Sequence, residues 1–152
     1  MRTKTLLLSM VVMIAACTQS TIYHHYEPVD DNGWSRTDTI QYELPTVPED
    51  GDYHIILGLR YNELFPYQGL WIVAETSLHH PTASYLDTLY FRTTDKDGRP
   101  TGKGLSLVQA DTLLTTLHMP KGQKGQVCLR HIMIREVLPG IKDIGVKLEV
   151  KK

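Results

Sequence analysis

From Ile40 to Val150 the dominant period in this chain is two. Ile40, Tyr42 and Leu44 alternate with Gln41 and Glu43. Ile55, Leu57, Leu59 and Tyr61 alternate with Ile56, Gly58 and Arg60. Leu70, Ile72 and Ala74 oppose Trp71, Val73 and Glu75, and Leu89 and Phe91 oppose Thr88, Tyr90 and Arg92. Val127, Leu129 and His131 oppose Cys128, Arg130 and Ile132; Ile144, Val146, Leu148 and Val150 alternate with Gly145, Lys147 and Glu149. Successive side chains of a strand point to opposite faces, so each run offers one face to a core and one to solvent. Turn residues separate the runs: Pro45 to Gly51, Pro66 to Gly69, His79-His80-Pro81, Asp95 to Gly98, Pro120 to Gly125 and Pro139-Gly140. Short strands between such turns predict an all-β fold. We expect one antiparallel β-sandwich, Ig-like or jelly-roll-like, of about seven to nine strands.

Leu105 to Met119 breaks the pattern. Leu107, Ala110, Leu114 and Leu117 fit a helix face, whereas Thr112, Thr115 and Thr116 favour strands. Two strands turning at Ala110-Asp111 are the favoured reading. The last run reads as an edge strand guarded by Lys147, Lys151 and Lys152.

The beginning of the chain is built differently. Met1 to Lys4 carries two positive charges, and Leu6 to Ala16 is an uncharged run of eleven residues. This is the layout of a secretory signal peptide. As a helix the run rises roughly 16 Å, about half a bilayer core, so a permanent span is not expected. It ends Ile14-Ala15-Ala16-Cys17, which resembles the lipobox of bacterial lipoproteins. A thiolate can form the thioether that holds a diacylglyceryl group, and more than one acyl chain gives stable anchoring. Residues 1–16 are therefore expected to be a lipoprotein signal peptide and Cys17 the lipid attachment site. Residues 17–33 read as the lipidated Cys and a polar tether, and 34–152 as the sandwich. Tyr23 and Tyr26 could dock that tether on the domain.

Composition narrows the chemistry. A formal net charge of −1 gives no electrostatic footprint for nucleic acid. Losing the signal peptide removes Arg2 and Lys4 and no acids, so the mature chain is more acidic still. Two cysteines, one of them committed to lipid, leave no intramolecular disulfide, and Cys128 reads as a small core residue. Motifs for nucleophilic, metal-dependent or phosphate chemistry are missing, so no cofactor and no catalytic activity are expected. His24-His25 and His79-His80 are adjacent pairs that point to opposite faces of a strand, not a zinc spacing. Asp95, Asp97 and Gly98 read as turn chemistry rather than a Ca²⁺ loop. The remaining candidate site is Phe65-Pro66-Tyr67-Gln68-Gly69-Leu70-Trp71. Phe65, Tyr67 and Trp71 could form a partner-binding loop, since aromatics bring large apolar area at small entropic cost. The simpler reading is that they cap the end of the core.

Taken in order, several pieces resemble the gliding-motility lipoprotein H (GldH) family. They are the lipobox Cys17, an aromatic segment and Trp34, then Pro66-Tyr67 leading into Leu70-Trp71-Ile72-Val73, and Asp87-Thr88-Leu89. Asp97-Gly98, Gly102-Lys103-Gly104, Arg135, Leu138-Pro139-Gly140-Ile141 and Asp143-Ile144-Gly145-Val146 follow. The resemblance implies a small lipid-anchored envelope protein held to the membrane through acyl chains on Cys17. It also implies protein partners in the gliding machinery and its linked type IX secretion apparatus. Only Cys17 carries over as a functional position. Thr18-Gln19 lacks an acidic residue after the lipid Cys, a pattern that resembles delivery to the periplasmic leaflet of the outer membrane. The competing reading is an envelope-tethered module that binds glycan or peptide through Phe65, Tyr67 and Trp71.

Overall fold

The computed structural model describes residues 20–152. The expected signal peptide over 1–16 and the expected lipid site at Cys17 lie outside the described residues. Ten strands follow in order: β1 (Thr21–Pro28), β2 (Trp34–Ser35), β3 (Ile40–Leu44), β4 (Gly51–Tyr61), β5 (Gly69–His79), β6 (Thr82–Arg92), β7 (Val108–Met119), β8 (Gly125–His131), β9 (Val137–Leu138) and β10 (Ile141–Val150). β2 and β9 are two-residue strands that pair with each other. The other eight form two four-stranded sheets, ordered β1-β10-β4-β7 and β3-β8-β5-β6, with every pairing antiparallel.

The pairings are nested. β5 pairs with β6, β4 with β7, β3 with β8, β2 with β9 and β1 with β10. One long hairpin, closed at His80-Pro81, is thus rolled so that β10 also joins β4 and β8 also joins β5. This is the jelly-roll alternative of the two expected sandwiches. Both sheets turn aliphatic residues inward. Ile55, Leu57 and Leu59 of β4 and Ile144, Val146 and Leu148 of β10 meet Leu70, Ile72 and Ala74 of β5 and Val127 and Leu129 of β8, all fully or nearly fully buried. Buried tyrosines satisfy their hydroxyls on main chain. Tyr42 on β3 donates to the Ile144 carbonyl at 2.6 Å, joining one sheet to the other, and Tyr61 donates to Thr93 at 2.6 Å.

Four expectations are corrected. The tether reading fails over Thr21–Pro28, which is β1, paired with β10 from Thr21↔Glu149 to Pro28↔Asp143. Residue Tyr26 explains why. The register aligns Tyr26, Gly145, Gly58 and Asp111 in one row across all four strands of the sheet. With no side chains at Gly145 and Gly58, the Tyr26 ring lies across both strands. A Cβ on Gly58 would sit 2.1 Å from the Tyr26 hydroxyl oxygen, and one on Gly145 would sit 2.7 Å from its ring. The hydroxyl donates to Asp111 on β7 at 3.2 Å, and the Arg60 guanidinium stacks 3.9 Å from the ring centroid. Burial first, then the Asp111 carboxylate, raises the Tyr26 phenol well above its ordinary value.

Leu105 to Met119 is neither a helix nor a hairpin. Ala110 and Asp111 lie mid-strand in β7, opposite Leu59 and Gly58. The register jumps from Ile55↔Thr115 to Ile56↔Leu113, leaving Leu114 as the extra residue of a β-bulge. Before the bulge Val108 and Ala110 face inward; after it Leu117 and Met119 do. The parity flips, so no single period is visible in the sequence. β10 is an inner strand, not an edge, because β1 covers it. Cys128 lies on the outer face of β8 and is half-buried, not in the core, because its neighbours Val127 and Leu129 take the inward positions.

Filling the glycine trough tests the role of Tyr26. Gly58→Val expels the ring and Tyr26→Ala removes it. Each is expected to lower unfolding free energy by about 2 kcal/mol, read from denaturant midpoints. Gly51→Val, in open space, is the control and leaves the midpoint nearly unchanged.

Candidate partner-binding groove

β5 starts at Gly69 with strict alternation. Leu70 and Ile72 turn into the core, so Trp71 between them must face out, and it is 46% exposed. Directly opposite on β6 is Tyr90, whose ring lies 5.0 Å from the Trp71 ring. On the other side β8 ends at His131 and the chain peels away from β5. The last ladder bond runs from the Ile132 N–H to the Trp71 carbonyl, 3.0 Å. Beyond it the Trp71 N–H meets only the Met133 thioether, at 3.4 Å. The gap opened by this parting is a groove of about 610 Å³ lined by Tyr67, Trp71, Ile132, Met133, Ile134 and Arg135. Ile134 stands 97% exposed at its rim.

The three loop aromatics divide between the two readings. Phe65 is buried and packs edge-on between Tyr61 and Tyr67, at 6.3 and 5.7 Å, so it caps the core. Tyr67 and Trp71 are exposed and line the groove. Ile132, Met133 and Ile134 complete the groove and were not among the residues the sequence singled out. Their signal was three consecutive apolar residues at the end of an alternating run, where a regular strand would have returned to polar.

Arginines surround this apolar surface. Arg135 lines it, Arg36 donates to the Ile134 carbonyl at 3.4 Å, and the Arg92 guanidinium lies 5.9 Å from the Tyr90 ring centroid. Among the described residues none of the three is in an ion pair.

Beneath the groove, His131 is fully buried against Trp34, with ring centroids 5.1 Å apart. Its two nitrogens suit one neutral tautomer: Nε2–H donates to the Trp34 carbonyl at 3.1 Å, and Nδ1 accepts from the Met133 N–H at 3.4 Å. Burial lowers its pKa. The Trp34 and Glu136 main chain and the Asp38 carboxylate oppose that shift, and Arg36 adds to it.

Several other titratable side chains have local partners. The Asp95 carboxylate accepts from the Asp97 and Arg99 N–H groups at 2.8 and 2.9 Å, closing a turn around Gly98 (φ 78°). His25 meets Glu27 at 2.8 Å, His54 meets Thr116 at 2.8 Å, and His118 sits between Asp50 and Asp52. Among the described residues no group of three His, Cys, Asp or Glu is arranged to hold a metal ion. The Cys128 thiol is pushed up, by burial first and then by Glu75, and no helix among these residues is long and apolar enough to cross a membrane.

The GldH lipoprotein family model matches residues 21–148, from the start of β1 to near the end of β10. The gliding motility lipoprotein GldH of Flavobacterium johnsoniae is 22% identical over 154 aligned positions, spanning 96% of this chain and 95% of the relative. A GldH homolog from Christiangramia forsetii is 22% identical over 149, spanning 91% and 90%. Among solved structures, a Sulfurospirillum deleyianum protein matches at a TM-score of 0.42 and 12% identity, covering 86% of this chain and 98% of that one. A family 35 carbohydrate-binding module from Clostridium thermocellum matches at 0.40 and 14%, covering 84% and 91%. At such scores neither likeness bears on ligand or function.

The His131 geometry carries a pH dependence. The stability of a neutral buried imidazole is present above its ordinary value of 6.5 and declines as pH falls from there through its own lower value. Protonation takes away the acceptor that holds Met133. The chain is expected to lose stability, and the Trp71 emission to change, as pH falls below about 6.5; His131→Gln should flatten this part of the profile.

Proposed function

The chain belongs to the GldH lipoprotein family, and on that premise we propose that it is a non-catalytic interaction protein of the cell envelope. Cys17 holds it to the membrane by acyl chains, and the jelly roll presents its surface to components of the gliding machinery. The observation that carries this reading is the extent of the family match, which spans the whole β-sandwich at residues 21–148 rather than the lipobox alone. The relatives that align over nine-tenths of their length are named gliding motility lipoproteins.

The position of β1 supports an anchoring role for Cys17. Only Thr18 and Gln19 separate Cys17 from Ser20, whose carbonyl accepts from the Val150 N–H at 2.7 Å. Three residue steps reach at most roughly 10 Å. Lipid on Cys17 therefore holds the domain close to the headgroups, with little of the freedom a sixteen-residue tether would give. Thr18-Gln19 carries no acid, and we place the protein on the periplasmic leaflet of the outer membrane, associated with type IX secretion. The groove favours contact over bond-making, because its lining is apolar apart from Arg135 and Tyr67.

Replacing the anchor tests the reading. Cys17→Ala is expected to move the protein out of the membrane fraction and to impair gliding or secretion while leaving the domain folded. A variant that remains membrane-bound at the wild-type level contradicts it.

A further inference from the structure

We propose that the groove between Trp71 and Ile132–Arg135 receives an extended protein segment that carries apolar side chains beside carboxylates. This rests on the reading of the chain as a lipid-anchored interaction protein. It adds which end of the domain binds and the chemistry of what binds there.

The strand directions decide the end. β1 starts at Thr21 beside the C-terminal strand, and the loops over 45–50, 80–81 and 120–124 turn at that same end. At the other end β1 finishes at Pro28, β4 finishes at Tyr61 and β7 begins at Val108. The groove belongs to this second end, because Gly69 pairs with Arg92 and Ile72 with His131. Eight residues of β1 span roughly 25 Å. A lipid on Cys17 thus leaves the groove facing away from its own bilayer. Exposed apolar residues gather at that far end: Leu64, Tyr67, Trp71, Leu105, Ile132 and Ile134. Leu86 and Leu113 are exposed mid-strand elsewhere, but the far end gathers apolar side chains around a groove, which marks an interaction site.

The chemistry selects the occupant. The groove's own bilayer lies at the opposite end. A sugar would find only Tyr67 and Arg135 as polar side chains in the lining, few partners for the hydroxyls that face it. A second copy docked about a two-fold axis would set the same unpaired arginines, Arg36, Arg92 and Arg135, against themselves. An acidic partner instead gives these guanidiniums the carboxylates they lack, while apolar side chains enter between Trp71 and Ile134. The missing ladder bond of the Trp71 N–H, met only by the Met133 sulfur, is a further group that an extended backbone can satisfy.

The test uses the full lipidated chain in nanodiscs and a synthetic ten-residue peptide alternating Asp with Leu and Phe. Its counterpart carries Lys in place of each Asp. The acidic peptide is expected to bind at least about tenfold more tightly than the basic one, and to weaken with added salt. Trp71→Ala should cost about tenfold or more. Arg135→Gln should weaken the acidic peptide and not the basic one. Ile134→Asp, a change at an exposed rim position, should also abolish binding and guards against a Trp71 variant that misfolds. Equal binding of the two peptides overturns the proposal, and so does acidic binding that survives both Trp71→Ala and Ile134→Asp. Tighter capture of envelope oligosaccharides, of added anionic vesicles or of a second copy through the same residues overturns it as well. Failure here leaves the behaviour of Cys17→Ala untouched, so the two readings fall separately.

Discussion

The pairing of β1 with β10 is the contact on which the arrangement depends. β1 closes the outermost layer of the nested hairpin, covers the last strand, and fixes where the chain leaves the domain toward Cys17. What holds it is unusual for an outer-face contact. One tyrosine ring crosses two strands over a pair of glycines and reaches a carboxylate on the fourth. Gly58 and Gly145 weaken their strands by themselves, since glycine has most to lose in conformational freedom and nothing to pack. Their register opposite Tyr26 turns that deficit into a socket. An arginine stacked on the ring covers it from solvent, so the strand nearest the anchor is held by packing as well as by its ladder bonds.

That socket also shows where sequence reading stops. Alternation in β3, β4, β5, β8 and β10 was legible because each strand keeps one face in the core throughout. β1 was not, since Ile22, Tyr23 and Tyr26 are only half-buried and its histidines are exposed. A strand that adds at a sheet edge and packs on glycines carries no clean period. β7 failed for another reason: the bulge at Leu114 moves its inward residues from even to odd positions. The edge assignment of β10 failed because it depends on a neighbouring strand, which is not a local property, whereas Cys128 shares the outward parity of Arg130, which the alternation already contained. The sequence left Phe65, Tyr67 and Trp71 together between a partner-binding loop and a cap on the core and could not divide them, because the three differ only in what lies beneath. The opposite wall of the groove arises where β8 leaves the sheet, which no composition encodes.

The resulting molecule has two unlike ends. One receives the chain from the lipid site. The other holds the parted strands, the exposed Tyr67, Trp71, Ile132 and Ile134, and three arginines that make no ion pair among the described residues. Buried His131 stands under the parted strands and supports Met133 only while neutral, so groove shape and proton uptake are linked through one side chain. Membership of the GldH lipoprotein family supplies the envelope context, and the fold sets the proposed anchor and the proposed contact groove at opposite ends.

The central claim is this polarity, and depth relative to the bilayer measures it most directly. A Cys128→Ser background of the lipidated chain, labelled through Lys121→Cys or Ile134→Cys and held in vesicles, can be read by lipid-borne quenchers. The account predicts strong quenching at position 121 and little at 134, with the two sites separated along the membrane normal by roughly the length of β1, about 25 Å. Quenching at 134 equal to or greater than that at 121 would contradict it.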